Sequence, residues 1–459
     1  MPFISVTPIE AFPAKVFLTS DAMNEFGLKH GNIVTIRSGS SQTDAEITTS
    51  LNGNYISAAV LEALSLPKVA GIRLREEAPY HLQLGPLVGT LVSRDKNCRL
   101  PPYSSQGPLL RRFAYYGMQE NCLVYVFSPG AVNQEKNKIT GYYLTPGEDG
   151  TLIWKKHDFP LPDVVYDRIL YRTVEKKKFT GQVKSFLLSQ KNIHYFNPKF
   201  LNKWETYSLL AKNPELQNHL PVTRIYKGPE SLKKILEFYK SVYVKPINGS
   251  LGKGIIRVTL LPEGYVYHYR QGRRPVSGTW RNSEELNSGL ASLLRRGTYV
   301  VQQGLNLTKY GDRVLDIRVL LQKDGTGRWV ETAMVARVGM AGSIFPNVAA
   351  GGEALNMQTL WQDLTSEDWY TCQACSVTRK ISLLAGETLE AHLGTFGEIG
   401  LDIGVDSSGH VWIIEINSKP SRKVFPKDQR HLKEKSIRLP LDFAICLAGF
   451  NPSYEWALP

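Results

Sequence analysis

Three side chains with oxygen ligands interrupt two strongly apolar segments near the C-terminus. Asp402 lies in the first segment, and Glu415 and Asn417 lie in the second, which follows after a short polar turn. Both segments have the length and composition of β-strands, so the sequence predicts a hairpin. Glu415 and Asn417 are two residues apart, and their side chains therefore leave the same face of the sheet.

The length of the turn decides whether Asp402 joins the other two residues. A two-residue turn at Ser408-Gly409 pairs Asp402 with Glu415, with Cβ atoms about 5 Å apart, whereas a three-residue turn shifts the register by one. Three converging oxygen donors without His or Cys suit Mg²⁺ that bridges nucleotide phosphates. The alternative is that these side chains simply face solvent. Carboxylates in such apolar strands are costly unless they are metal-bound or paired, so the sequence favours the metal site.

A glycine-rich loop provides a second group of residues that could bind phosphate. Lys245 comes at the end of a predicted strand, and the loop that follows contains Gly249, Ser250, Gly252, Lys253 and Gly254 before the next strand begins. Glycines let backbone N–H groups approach phosphate oxygens, and lysines neutralise their charge. The spacing differs from that of Walker-type loops because no helix opens directly after it. A plain glycine-rich hairpin turn is the alternative.

Two arginines on predicted strands lie between these elements. Arg318 follows in the run Asp316-Ile317-Arg318, and Arg337 ends the apolar strand ETAMVARVG. Arg337 is in a position to reach a transferring phosphoryl group, and a structural pair between Arg337 and a carboxylate is an equally good interpretation. The strand that begins at Tyr299 ends near residues whose amides could hydrogen-bond the edge of a purine.

Composition excludes several classes of protein and leaves others open. Of 459 residues, 42% are hydrophobic and 21% are charged, which excludes collagen-like, disordered and disulfide-scaffold proteins. No apolar run reaches the roughly 18 residues that a membrane-spanning helix needs, and the N-terminus has no secretory pattern. Five scattered Cys residues indicate a reducing cytoplasm.

A net charge of +13 favours anionic partners such as nucleotides or acidic polypeptides. Residues 418–438 include eight basic and two acidic residues. This basic stretch directly follows Asn417, so it could receive an acidic acceptor; a solvated loop followed by a helix is the alternative interpretation. Nucleic-acid binding has only the charge in its favour, and no basic strand rich in aromatic residues supports it.

The order of the predicted elements indicates an α+β protein of three parts. Residues 1–80 contain two similar strand–helix–strand units, which predict a small β-barrel of double-psi type. Residues 81–195 alternate apolar strands with helices in an open-sheet α/β pattern. Residues 196–459 hold the candidate chemistry and divide into two subdomains, 196–298 and 299–459.

The spaced combination of these motifs resembles the ATP-grasp superfamily over about residues 196–459. The wider chain more closely resembles the YheC/YheD endospore coat-associated family. The matching segments are LGPLVGTLVS, FPLPDVVYDRI, NKWETYSLL, VKPINGSLGKGIIRV, LDIRVLLQ and WIIEINSKPSRKVF. The resemblance implies an ATP-grasp fold preceded by an α/β pre-ATP-grasp domain, with ATP held between two subdomains.

The resemblance also implies a role for individual residues. Lys203 and Lys245 contact the phosphates, with Lys245 also near the adenine, and the loop that contains Gly249, Ser250, Gly252 and Lys253 closes over them. The adenine-side hinge consists of Gln302, Gln303 and Leu305, where many relatives have Glu. Asp402, Glu415 and Asn417 hold two Mg²⁺ ions, and Arg318 and Arg337 stabilise the transferred γ-phosphoryl group. Candidate substrate contacts are Asn347, Gly351, Gly352, Lys419 and Ser421.

The function implied by the resemblance is that of a carboxylate–amine ligase. ATP phosphorylates a carboxylate to an acyl-phosphate, and an amine then attacks it to give an amide. The expected partners are ATP, a carboxylate substrate and an amine acceptor such as an acidic peptide or protein, together with spore coat proteins; no membrane is expected. The location implied is the cytoplasm of sporulating bacteria, in association with the spore coat. The alternative function is a non-catalytic ATP-binding scaffold of the coat.

Overall fold

The computed structural model describes residues 3–10, 13–249, 252–272, 274–340, 352–357, 359–360, 368–422, 425–426 and 428–451. Four β-sheets follow one another along the chain. Within the described ranges, no helix is both long enough and apolar enough to cross a membrane.

The first sheet is a closed barrel, which confirms the N-terminal β-barrel predicted from the sequence. Its strand order is β1-β5-β2-β4-β3-β7-β6, and helices α1 and α2 are each placed between two strands, as the two similar units suggested. The double-psi assignment stays a prediction. The elements are β1 (Ile4–Ile9), β2 (Lys15–Leu18), α1 (Ser20–Glu25), β3 (Ile33–Ser38), β4 (Ser41–Thr49), β5 (Tyr55–Ser57), α2 (Ala58–Ala63), β6 (Ile72–Ala78) and β7 (His81–Gly85).

The second sheet has a parallel centre, β9-β8-β13-β14, extended on the β9 side by antiparallel strands. Its central strands β8, β9 and β13 are buried throughout, because helices pack on one face and the barrel, together with a further helix, packs on the other. The elements are β8 (Leu87–Val92), α3 (Gly107–Gln119), β9 (Leu123–Phe127), a 3-10 turn (Pro129–Ala131), β10 (Val132–Asn133), β11 (Lys138–Pro146), β12 (Leu152–Pro160), β13 (Val164–Arg168), α4 (Arg172–Glu175), α5 (Lys178–Ser189) and β14 (His194–Phe196).

The third sheet has the order β15-β20-β16-β17-β18-β19, and helices α8 and α9 pack on one of its faces. Helix α6 begins at Lys203 because the Asn202 side chain accepts hydrogen bonds from two backbone N–H groups of its first turn. The elements are α6 (Lys203–Leu210), α7 (Pro214–Gln217), β15 (Thr223–Ile225), α8 (Pro229–Tyr239), β16 (Ser241–Pro246), β17 (Ile256–Leu261), β18 (Gly264–Gln271), β19 (Arg274–Trp280), α9 (Ser283–Leu293) and β20 (Tyr299–Gln303).

The fourth sheet has the order β24-β23-β22-β25-β26, with β21 paired to β22. Helix α10 packs on one of its faces. The elements are β21 (Lys309–Tyr310), β22 (Arg313–Lys323), β23 (Trp329–Val338), β24 (Glu353–Asn356), α10 (Asp368–Leu393), β25 (Glu398–Val405), β26 (Val411–Asn417) and α11 (Arg430–Leu447). The division of the chain into domains at residues 80 and 195 stays a prediction.

The last helix, α11, joins the second sheet to the fourth. Leu441 and Phe443 pack in one core with Tyr166 and Phe196 of the second sheet. On another side of the same helix, Leu432 packs against a cluster of fourth-sheet residues that includes Leu320. The helix therefore stabilises the contact between the two sheets.

A fully buried carboxylate, Glu398 at the start of β25, ties these sheets together by charge. Arg168 Nη1 of β13 lies 2.5 Å from Glu398 Oε1, and Arg422 pairs with Glu398 Oε2. The Tyr166 hydroxyl also donates to Oε1 at 2.7 Å. Burial opposes ionisation, but the two guanidiniums outweigh it and hold the pKa of Glu398 at about 2. We call Arg168, Glu398 and Arg422 the buried clamp.

A second buried carboxylate corrects the interpretation of the basic stretch after Asn417. Lys419 pairs with Asp167 of β13, and Lys184 Nζ lies 2.8 Å from the same carboxylate. The side chain of Lys419 is only 1% exposed, and burial lowers its pKa. Lys419 and Arg422 therefore do not lie in a solvated loop, and Lys419 is enclosed where an acceptor cannot reach it. We no longer assign Lys419 to substrate binding.

The buried clamp predicts a large loss of stability when its carboxylate is removed. Glu398→Gln leaves two buried guanidiniums without a counter-charge, so we expect the free energy of unfolding in urea at pH 7 to fall by about 3–5 kcal/mol. The control is Glu215→Gln, which removes an exposed pair with Lys380 and should cost less than about 1 kcal/mol. Equal losses in the two variants would contradict a structural role for the clamp.

The same carboxylate predicts a specific dependence on acid. Its folded-state pKa is depressed from the ordinary 4.5 to about 2, so its contribution to stability is present above pH 4.5 and is lost as the pH falls toward 2. The wild-type protein should therefore lose more stability over that window than Glu398→Gln does. Urea unfolding at a series of pH values measures the difference, and parallel curves would count against this assignment.

Candidate functional site

A narrow cleft lies between the third and fourth sheets, and four of the side chains that the sequence analysis selected line it. Helix α6 forms one wall, β15, β16 and β20 form another, and β26 closes the floor. The residues that line it are Lys203, Thr206, Tyr207, Leu210, Leu220, Pro221, Thr223, Lys245, Val300, Gln302, Ile413, Ile414, Glu415 and Ile416. Its walls are mainly apolar, with a few cationic and polar groups converging inside, as is typical of a ligand site.

Lys245 and Gln302 form the polar centre of the third-sheet wall. The Lys245 ammonium donates to Gln302 Oε1, and Gln302 Nε2 donates to Thr223 Oγ1 at 3.1 Å. Both Lys245 and Gln302 are buried, and burial lowers the pKa of Lys245 to about 8. The amide that contacts this buried ammonium is neutral, so the contact does not neutralise the positive charge. The ammonium can therefore attract an anionic ligand.

Lys203 connects the glycine-rich loop to the fourth sheet. From the first turn of α6, its ammonium donates to Glu415 Oε1 at 2.9 Å and to the Gly249 carbonyl at 3.0 Å. The backbone N–H of Lys203 also donates to the Ile247 carbonyl. One lysine thus holds the loop and a carboxylate at the same end of the cleft.

The loop itself is a hairpin connection between β16 and β17, as expected from the sequence. Gly252 and Gly254 both have positive φ, at 70° and 72°, a conformation that side-chain-bearing residues rarely adopt. A Cβ at Gly249 would lie 2.7 Å from the Pro246 ring. Lys253 is exposed in the described part of the loop.

Asp402 of β25 is held between two arginines. Arg318 Nη2 lies 2.8 Å from Asp402 Oδ1, and Arg337 Nη2 lies 3.0 Å from the same atom. Arg337 also pairs through two nitrogens with Asp316, with an Nε–Oδ1 distance of 2.7 Å. The structural pair considered for Arg337 is therefore present, and the same guanidinium also reaches Asp402.

The two acids beside Arg337 titrate in opposite directions. Burial raises the pKa of Asp316 above its ordinary value despite Arg337. Burial also opposes ionisation of Asp402, but there the charges of Arg318 and Arg337 prevail and lower the pKa. When two close carboxylates share cations, their pKa values move apart, and Asp402 is the one that stays ionised.

The strand pairing places Asp402 directly opposite Glu415, as the sequence analysis anticipated, but by a different route. The turn is three residues long, with Asp406 and His410 closing it and Gly409 at φ 84°. That length shifts the register by one, and a bulge at Ile414 shifts it back. The assumed two-residue turn is therefore wrong, while the pair that it was used to derive is confirmed.

The donor set at this end of the cleft fits a divalent cation. Asp402 and Glu415 are cross-strand partners, and Asn417 follows two residues later on the same face. Asp402 Oδ1 is buried, and both guanidiniums lie within 3.0 Å of it. An ionised carboxylate beside a second carboxylate and an amide matches the preference of Mg²⁺ for hard oxygen ligands.

Other sequence-selected residues lie outside the cleft lining. Gln303 turns away and accepts a hydrogen bond from the Val222 N–H at 3.1 Å, and Leu305 is half-buried just beyond the end of β20. Gly352 is half-buried immediately before β24, and Ser421 is exposed. Ser250, Asn347 and Gly351 are not among the described residues.

Two residues near the cleft escaped the sequence analysis. Thr223 anchors the Gln302 amide, and Arg172 of α4 has a positive charge that acts on Glu415. Arg172 donates to the Leu201 carbonyl at 2.6 Å, while its Nε atom is buried and has no hydrogen-bond partner among the described residues. The only sequence signal for either residue is a short β-prone segment for Thr223, since Arg172 comes from a distant part of the chain.

One family model matches more than half of the chain. Residues 192–447 match the family model described as YheC/D like ATP-grasp. The chain is 29% identical over 357 residues to the endospore coat-associated protein YheD of Bacillus subtilis, covering 77% of this chain and 76% of that protein. It is 23% identical over 290 residues to YheC of the same organism, covering 63% and 78%.

Solved structures of similar fold include D-alanyl-alanine synthetase A from Vibrio cholerae. The TM-score is 0.44 at 13% sequence identity, and the alignment covers 79% of this chain and 98% of that one.

The Lys245–Gln302 contact predicts a pH response that a single substitution should shift. Lys245 should lose its proton near pH 8, and Gln302→Glu should raise that midpoint because a carboxylate then faces the ammonium. Competitive acetylation as a function of pH, read by mass spectrometry of the peptide that contains Lys245, measures both midpoints. Gln303→Glu, on the neighbouring residue that turns away from the cleft, is the control. An identical midpoint in the wild type and in Gln302→Glu would contradict the arrangement.

Proposed function

The chain belongs to the YheC/D-like ATP-grasp family, and on that premise we propose that it is an ATP-dependent ligase that joins a carboxylate to an amine through an acyl-phosphate. The observation that carries the proposal is the convergence of Lys203, Arg318, Arg337, Asp402 and Glu415 at one end of an apolar cleft. This end has the charges needed to hold a triphosphate, and the other end has the apolar walls and amide needed to hold a base.

Nucleotide binding follows from what each wall of the cleft offers. Val300, Leu220 and Ile413 give apolar surfaces for a purine ring, and the Gln302 amide, which accepts a hydrogen bond from Lys245, lines the same cleft. Lys245 and Lys203 are placed to neutralise the phosphates, with the glycine-rich loop above. Because burial destabilises the charged form of Lys245, an anion that restores it binds with proton uptake above pH 8.

The metal site is assigned to Asp402, Glu415 and Asn417. When bound there, Mg²⁺ neutralises phosphate charge and polarises the γ-phosphoryl group. Lys203 now pairs with Glu415, and Arg318 and Arg337 pair with Asp402. The two arginines keep Asp402 ionised, and Lys203 holds Glu415 in position, so that oxygen ligands are available without reorganisation of the sheet.

The proposed chemistry needs no protein nucleophile. A carboxylate oxygen of the substrate attacks the γ-phosphorus, the bond between that phosphorus and the β–γ bridging oxygen breaks, and ADP leaves with the bridging electrons. An amine then attacks the acyl carbon, phosphate departs, and the amine gives up a proton. Arg318 and Arg337 lie where they can stabilise charge on the transferred phosphoryl group, which is the main contribution of a protein to such a reaction.

A non-catalytic scaffold is the second candidate function, and one observation favours it. Asp402 and Glu415 each already have a cationic partner, so the site is electrically complete as it stands. A scaffold of this kind would bind nucleotide through Lys245 and the cleft walls but would not release ADP.

The names of the relatives suggest a setting for either function. YheD and YheC are called endospore coat-associated, and we propose that this chain acts during endospore coat formation from the cytoplasm of the sporulating cell, with coat proteins as partners.

The metal assignment predicts a sharp loss of turnover when one carboxylate is neutralised. Glu415→Gln removes a metal ligand and the partner of Lys203, so we expect ADP release with Mg²⁺-ATP and a panel of amino acids and acidic peptides to fall about a hundredfold or more. The control Glu387→Gln, on the exposed side of α10, should match the wild type.

Binding of fluorescent ATP distinguishes the two candidate functions. If the wild type binds nucleotide with Mg²⁺ but releases no ADP with any acid, the scaffold function is supported. Turnover in Glu415→Gln equal to that of the wild type would refute the metal assignment.

A further inference from the structure

A chain of hydrogen bonds runs along the third-sheet wall of the cleft. The Thr223 hydroxyl donates to the Pro221 carbonyl at 2.8 Å, and Gln302 Nε2 donates to Thr223 Oγ1 at 3.1 Å. The Lys245 ammonium donates to Gln302 Oε1 at the other end. The side chains of Thr223, Gln302 and Lys245 are buried, and all four residues line the cleft. A ligand in the cleft therefore meets polar groups whose partners within the protein are fixed.

The strand pairing brings these side chains to one face of the third sheet. Thr223 of β15 lies directly opposite Gln302 of β20, so the two side chains project from the same face. Lys245 of β16 lies opposite Val300, which is two residues from Gln302 on β20, so its side chain also projects from that face. Adjacent strands thus contribute one side chain each, and the sheet holds these side chains in register.

The chemistry of its two ends fixes the direction of this chain of hydrogen bonds. A carbonyl only accepts hydrogen bonds, and an ammonium only donates them. The Pro221 carbonyl takes the single hydroxyl proton of Thr223, which leaves the Thr223 oxygen as an acceptor for the amide nitrogen. At the other end, the Lys245 ammonium requires the amide oxygen. The Gln302 amide therefore satisfies both neighbours in one orientation only, with its oxygen beside the ammonium.

A donor next to an acceptor distinguishes between the two purines. In adenine the N7 acceptor is adjacent to an amino group, whereas in guanine N7 is adjacent to a carbonyl oxygen, which is a second acceptor. The Lys245 ammonium suits N7 of either base. Gln302 Oε1 suits only the amino group of adenine, because the guanine carbonyl would place one oxygen against another. A site built to hydrogen-bond one group rejects the analogue that lacks it, so the orientation of the amide decides which base is accepted.

We propose that Thr223 is a positioning residue for base selectivity: its hydroxyl holds the Gln302 amide with the oxygen beside Lys245, and the cleft therefore prefers adenine to guanine nucleotides. The inference rests on nucleotide binding in the cleft, which is part of the proposed function. It deepens that function by naming a residue that sets the specificity for the nucleotide through a neighbouring side chain. An amide needs such an anchor because its two ends differ, whereas the two oxygens of a carboxylate are equivalent.

Displacement of trinitrophenyl-ATP from the full chain by ATP and by GTP, with Mg²⁺ present, tests the proposal through the ratio of the two Kd values. Thr223→Val keeps the shape of the side chain but removes the acceptor of the amide nitrogen, so the amide can turn and its oxygen is no longer held beside Lys245. We expect the preference for ATP to fall about tenfold. Thr223→Ser keeps the hydroxyl and should stay within about threefold of the wild-type ratio.

The matched control is Thr90→Val, on β8 of the second sheet. The Thr90 hydroxyl is buried like that of Thr223, but it has no hydrogen-bond partner among the described residues. This variant should keep the wild-type ratio of Kd values. Thermal unfolding followed by circular dichroism should show that each variant is folded under the conditions of the binding experiment.

A double-mutant cycle tests whether Thr223 acts through the amide. Gln302→Met removes both ends of the amide and should lower the preference for ATP by about the same factor as Thr223→Val. Adding Thr223→Val to Gln302→Met should then change the ratio no further. Independent, additive losses would overturn the proposal. A wild-type ratio in Gln302→Met would overturn it too, and that result can be read even where Thr223→Val does not fold.

Three further results would contradict the proposal: equal affinity of the wild type for ATP and GTP, a wild-type ratio in Thr223→Val, or the same loss in Thr223→Ser as in Thr223→Val. In each of these cases ATP still displaces the probe, so the proposed ligase function stands. If the wild type binds neither nucleotide, nucleotide binding in the cleft is refuted, and the proposed function fails together with this inference.

Discussion

The structure depends on how one face of β25 balances buried negative charge. Glu398, Gly400 and Asp402 alternate along this strand and share a face, and each carboxylate lies between two arginines. Gly400 between them has no Cβ, and one placed there would lie 2.7 Å from a nitrogen of Arg318. A carboxylate without such partners could not stay ionised in so dry an environment. The strand therefore positions its acids through cations recruited from other elements.

The two carboxylates of this strand have different uses because their partners differ. Glu398 receives Arg168 from the second sheet and Arg422 from the segment after β26, so it connects parts of the protein that are far apart in sequence. Asp402 receives both of its arginines from the fourth sheet itself and faces the cleft with Glu415 and Lys203 nearby. One strand thus contributes a structural ion cluster and a candidate metal site only four residues apart.

Periodicity was enough to identify the strands, the hairpin and the side chains on its inner face, because each of these is decided by local sequence. The compensating bulge at Ile414 could not be foreseen, since it reflects how a three-residue turn and a sheet register are reconciled in three dimensions. The burial of Lys419 could not be predicted from the sequence either. A run of basic residues looks solvated until the distant Asp167 is placed against it. Arg172 shows the same limit, because its proximity to Glu415 is created by the packing of separate units.

The position of α11 has a consequence for how the protein is made. Residues from Ile437 to Phe450 complete a core that also contains Val88, Phe113 and Tyr166, which leave the ribosome hundreds of residues earlier. During synthesis the second sheet has an open apolar surface until α11 emerges. Nascent chains that lack α11 would therefore expose an apolar surface to which chaperones can bind.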